Sequence, residues 1–129
     1  MIIAAVVLAA LAAALHVYIF FMESLAWDGP AARKTFGPAS TAEVEATRSL
    51  AYNQGFYNLF LAIVTVIGIV FVLVSTSPVG PALMLVGTGS MLAAAAVLFL
   101  SLPSKRSAAI RQGGIPLLAV IATIIALAA

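Results

Sequence analysis

His16 and Glu23 stand seven residues apart in an otherwise apolar run near the start of the chain. Seven residues is two helical turns, so both side chains share one face, and Trp27 extends that face if the helix lasts so far. An imidazole beside a carboxyl can move protons or hold a polar ligand group, and a reference pKa near 6.5 suits His16 to acid/base work. A second cluster, Asn53, Gln54, Tyr57 and Asn58, reads as two pairs four apart, Asn53 with Tyr57 and Gln54 with Asn58. Amides and a phenol at that spacing make a polar flank suited to orienting the polar end of a ligand. Arg48 and Arg111 are placed to attract an anionic group at an entrance. Gln112 stands four residues before Pro116, which has no N–H to give to its carbonyl.

Each of these residues also has a plainer reading. Amides and phenols glue membrane helices together at about 0.6 kcal/mol per hydrogen bond. The set as a whole exceeds what glue requires, and ionisable groups inside a membrane are functional hypotheses by default. His16 and Glu23 are the candidate catalytic pair, and the other eight residues are candidate ligand contacts. One His and one carboxylate fall short of the three or four ligands of a metal site, so none is expected. Ser49 and Ser104 have no base and orienter for a nucleophilic triad, and Gly113-Gly114 lacks a phosphate-loop pattern. Whether a cofactor is used, and whether the chain is an enzyme, both stay open.

The elements that carry these residues follow from composition. Of 129 residues, 64% are hydrophobic and 8% charged, with mean hydropathy +1.22. A water-facing domain carries about 25% charged residues, so lipid must be the solvent here. One all-α domain is expected, a four-helix transmembrane bundle with spans at about 2–25, 44–76, 81–101 and 107–128 and a connecting loop at about 26–43. The N-terminal run lacks a basic leader region and reads as a retained first span. Asp28-Gly29-Pro30 stops the first helix. Ser40 and Glu43 form a capping box for the second. Pro116 predicts a kink in the fourth. Gly89 with Ala93, and Ala5, Ala9 and Ala13, predict close-packing seams.

All six basic residues fall in the first loop (Arg33, Lys34, Arg48) or the third (Lys105, Arg106, Arg111). The positive-inside rule then places those loops in the cytoplasm and both termini outside, in the cell (inner) membrane. A net charge of +2 confined to two loops gives no stripe for nucleic acid. Helical rise puts His16, Asn58 and Pro116 at a common depth of roughly 13–15 Å below that face. A polar pocket in the cytoplasmic half, taking a small amphipathic molecule or lipid, is the function this supports. A small proton-coupled transporter and a ligand-free assembly subunit are the alternatives. A homo-oligomer is expected, because four short spans shield a polar pocket poorly.

The runs His16-Val17-Tyr18-Ile19-Phe20-Phe21-Met22-Glu23, Ala51-Tyr52-Asn53-Gln54-Gly55-Phe56-Tyr57-Asn58 and Gln112-Gly113-Gly114-Ile115-Pro116-Leu117-Leu118 resemble an uncharacterised family of small membrane proteins, domain of unknown function 1304. The chain carries one Gly more before Pro116 than that family's pattern. A looser resemblance is to the membrane-associated eicosanoid and glutathione metabolism proteins, through size, topology, the place of the polar residues, and Arg48 and Asn53. Tyr57-Asn58 stands near the place of that family's Glu-Asn pair, and the Glu is missing. This likeness implies a four-helix trimer with termini on the non-cytoplasmic side and a site in the cytoplasmic half between subunits.

Overall fold

The structure is a computed structural model that describes Met1–Ala129. Helix α1 (Ile2–Phe20) runs on into a π-helical turn, Phe21–Leu25. Short helix α2 (Pro30–Phe36) follows, then α3 (Thr41–Val74), α4 (Val79–Ser101) and, after a 3-10 turn at Pro103–Lys105, α5 (Arg106–Ala128). There are no strands, and four of the helices are long and apolar enough to cross a membrane. The fold is the expected all-α four-helix bundle. Each long helix packs on two neighbours in the ring order α1, α3, α4, α5, with α1 diagonal to α4. This up-and-down order gathers the end of α1, the starts of α3 and α5 and the end of α4 at one end of the bundle. All six basic residues and all four acidic ones lie there, and it is called the basic end below.

Small residues set how closely the helices approach. Ala5, Ala9, Ala12 and Ala13 of α1 are buried against Ile69, Met84, Met91, Ala119 and Ala122. At the α3–α4 crossing, a Cβ on Gly68 would lie 2.6 Å from the Met84 nitrogen and 2.9 Å from the Gly80 carbonyl oxygen. Backbone meets backbone there, which only glycine permits, and close approach of this kind drives helix association in lipid through van der Waals packing. The alanine seam of α1 is therefore used inside the bundle. The Gly89–Ala93 seam is not: a Cβ on Gly89 would meet nothing within 4 Å, and Ala93 is exposed. The inward face of α4 runs instead through Gly80, Met84, Gly87, Thr88, Met91 and Ala95.

The capping box at the start of α3 is formed in both directions, Glu43 N–H to Ser40 Oγ at 3.2 Å and Ser40 N–H to Glu43 Oε2 at 2.7 Å. The first loop differs from expectation. Pro30 does not only stop one helix; it opens another. Gly29 is extended as N-cap, Pro30 occupies the first helical position, where a missing N–H costs nothing, and Gly37 ends α2 at φ +98°. Helix α5 is continuous from Arg106 to Ala128, with the Pro116 ring fully buried inside it.

Candidate functional site

The π-helical turn brings two consecutive residues, Met22 and Glu23, into the interior. Its widened register is closed by the Ala26 N–H donating five residues back to the Phe21 carbonyl at 3.0 Å; such insertions recur at functional sites. Gly55 of α3 lets this turn come close. A Cβ there would lie 2.0 Å from Ser24 Oγ and 3.1 Å from the Glu23 Cβ. Ser24 Oγ in turn donates to the Tyr52 carbonyl at 2.7 Å, pinning the turn to α3.

So placed, the Glu23 carboxyl is buried, and its Oε2 accepts from Asn58 Nδ2 at 2.8 Å across 35 residues of sequence. Asn58 also donates to the Gln54 carbonyl at 3.2 Å. Glu23 stands in the wall of a cavity of about 490 Å³ at the basic end, together with Trp27, Gln54 and Gln112. The size suits a small organic ligand or a lipid headgroup.

The wall also holds residues not singled out from the sequence as site candidates, among them Arg33, Phe36, Thr47 and Lys105. Arg33 lies over the Trp27 ring at 4.4 Å and donates to the carbonyls of Trp27 (3.2 Å) and Gly37 (3.4 Å), while its Nε is buried without a partner. Trp27 Nε1 donates to Thr47 Oγ1 at 3.0 Å, and the indole packs on Phe36 with centroids 5.7 Å apart. The Lys105 ammonium donates to the Phe36 carbonyl. Helix α2 thus folds back over the bundle and roofs the cavity. The sequence signal for it is Pro at a first helical position and Gly seven residues on, punctuation that also marks helix ends.

Other candidates lie elsewhere. His16 is fully buried on the inward face of α1, two turns deeper than Glu23 and outside the cavity wall. Its Nδ1 lies 2.9 Å from the Ala12 carbonyl, which can only accept, so Nδ1 carries a proton. In the neutral ring Nε2 is then a lone-pair acceptor, and it is buried with no donor. Asn58 is also turned inward, but Asn53 and Tyr57 sit on the opposite, exposed surface of α3, along a groove with Tyr52, Phe56 and Phe60. The flank expected as one polar surface is thus split between inside and outside. Arg48 is exposed and held by Glu45 (3.0 Å) and Asp28 (3.5 Å), away from the cavity. Arg111 is exposed and lines two neighbouring cavities rather than this one.

Residues 10–124 match a family described as "Protein of unknown function (DUF1304)". No curated protein matches the chain, and no solved structure does.

Proposed function

Since the chain belongs to DUF1304, a family whose description assigns no activity, its role rests on its own site, and we propose that it binds the polar end of a small amphipathic molecule or lipid in the cavity beneath α2. The observation that carries this reading is the Glu23 carboxyl. It is buried in a bundle long and apolar enough to span a membrane, has one protein donor, and stands in a wall shared with Arg33 and Lys105. Its second oxygen has no protein donor and, unlike His16 Nε2 and Arg33 Nε, is not sealed from its surroundings, so it is open to a donor from a ligand in the cavity. Glu23 and Gln54 give a ligand hydroxyl or amine its hydrogen bonds, and Arg33 and Lys105 are offset in the same wall by Glu43 as well as Glu23, which favours a neutral or cationic polar end. By its six basic residues this end faces the cytoplasm, with both chain termini on the other side of the cell membrane.

Trp27, the one tryptophan of the chain, is in the cavity wall and reports on its occupancy. The protein in lipid nanodiscs, titrated with dodecanol, dodecylamine, dodecanoate and dodecyl phosphate, should show a saturable change in Trp27 emission for at least one of the four. Glu23→Gln should weaken that binding about tenfold, the equivalent of roughly 1.4 kcal/mol. Linear, unsaturable responses to all four amphiphiles would overturn the reading.

A further inference from the structure

Two more cavities meet on the far side of α2. One, of about 340 Å³, lies between the first and third loops and is walled by Lys34, Lys105, Arg111 and the hydroxyl residues Thr35, Ser104 and Ser107. No carboxylate is in its wall. Lys34 and Arg111 make no ion pair and no side-chain hydrogen bond within the chain, so their charges are free for an incoming anion. The other, of about 180 Å³, is an apolar slot between α1 and α5, walled by Leu15, Tyr18, Ile19 and Met22 on the α1 side. The two share Thr35, Phe36, Ala108 and Arg111, so they adjoin. From Met22 to Leu15 the slot descends seven residues along α1, about 10 Å away from the basic end. Exposed Tyr18 marks its open side.

We propose that these joined cavities bind an acidic phospholipid, its phosphate on Lys34, Lys105 and Arg111 and the start of one acyl chain in the slot. Charge complementarity selects the headgroup. Three cations, one each from α2, the 3-10 turn and the start of α5, converge with three hydroxyls, and no carboxylate is present to pair a choline or ethanolamine ammonium. The adjoining apolar slot selects a lipid over a soluble phosphate, since a phosphate ester without a tail leaves it unfilled. The outward setting of residues that only direct insertion explains nothing of this convergence: Arg48 and Arg106 share the same end, yet neither is in the cavity wall.

Native mass spectrometry in neutral detergent tests this with phosphatidylglycerol and phosphatidylcholine of identical acyl chains, and with glycerol 3-phosphate as the tailless arm. One phosphatidylglycerol should bind at least tenfold more tightly than phosphatidylcholine, and glycerol 3-phosphate should bind at least a hundredfold more weakly. Lys34→Gln and Arg111→Gln should each weaken phosphatidylglycerol at least fivefold. Arg106→Gln, which removes the same charge from the same end, should stay within twofold. Leu15→Trp, which narrows the slot alone, should weaken the lipid and leave glycerol 3-phosphate unchanged. All of these side chains are exposed or half-buried, and matched thermal midpoints establish that each variant is folded. Equal losses for Lys34→Gln and Arg106→Gln would reduce the cluster to general surface charge and overturn the proposal. Glycerol 3-phosphate binding as tightly as the lipid, or phosphatidylcholine equalling phosphatidylglycerol, would overturn it too.

Discussion

The two halves of the bundle handle polar atoms in opposite ways. In the half away from the basic end, Thr65, Thr88 and Thr123 are all fully buried, and each hydroxyl donates to the carbonyl four residues back, at 2.8, 2.7 and 2.7 Å. Every one of these groups is satisfied within its own helix, and glycine and alanine close the space around them. At and just below the basic end, several polar groups depend on other helices or on nothing. Glu23 relies on Asn58 of a different helix, while His16 Nε2 and Arg33 Nε are buried without partners. A bundle that needed only to hold together would be built throughout like the first half. The contrast supports the proposed site, which lies where hydrogen-bonding capacity is left open.

The largest effect should come from the closed half. Gly68→Ala forces a methyl against the Met84 nitrogen and the Gly80 carbonyl, both backbone atoms that cannot swing aside. Overpacking of this kind costs about 1–3 kcal/mol. Gly89→Ala is the matched control, because a methyl there meets nothing and helix propensity favours alanine by about 0.8–1.0 kcal/mol. Equilibrium unfolding in mixed micelles should thus move the two variants in opposite directions. Equal shifts would mean that the α3–α4 crossing is looser than backbone contact requires.

Next in size is the pair that joins α1 to α3. Asn58→Ala leaves the Glu23 carboxyl buried without its donor and should cost about 1–3 kcal/mol. A double-mutant cycle with Glu23→Gln and Asn58→Ala should give a coupling of about 0.6–1.7 kcal/mol, the range for hydrogen bonds between membrane helices. Zero coupling would mean that the two side chains do not hold one another, and the open half would lose its buried side-chain link between α1 and α3.

The spans were legible because lipid leaves no choice: about 20 apolar residues must be helical to satisfy their backbone groups. The inward face of α3 was also open to reading. Ala51, Gly55, Asn58, Ala62 and Thr65 repeat at three and four residues with small or polar side chains, and all five are buried. Read as a face, that row assigns Asn58 inward and Asn53 and Tyr57 outward; spacing within polar pairs alone cannot choose. Helix α2 was hidden by the double meaning of its punctuation, since Pro30 and Gly37 mark ends of helices as readily as they mark one short helix between them. Once it is missed, Arg33, Phe36 and Lys105 stay scattered loop residues, and the roof of the cavity is lost with them. The Glu23–Asn58 contact spans 35 residues, and no local pattern reports a pairing at that distance.

The smallest effects separate the two halves most finely. Thr123→Val removes a hydroxyl that serves only its own helix, where back-bonding to the carbonyl four residues before adds little and tends to bend the helix. Its stability cost should fall below about 0.6 kcal/mol, the average for hydrogen bonds between membrane helices. His16→Leu makes a change of similar volume at the same degree of burial, so packing is held nearly constant. It removes one Nδ1–H donor that is used and one Nε2 acceptor that is not. The loss of a net hydrogen bond, about 0.5–1.5 kcal/mol, is offset by relief of an unmet buried acceptor at about 1–3 kcal/mol. His16→Leu should therefore leave unfolding unchanged or raise its midpoint, although it strips a buried polar ring from the interior. A fall of 2 °C or more in the His16→Leu midpoint relative to Thr123→Val would show that the imidazole is structural, and that the open half is held together as fully as the closed one.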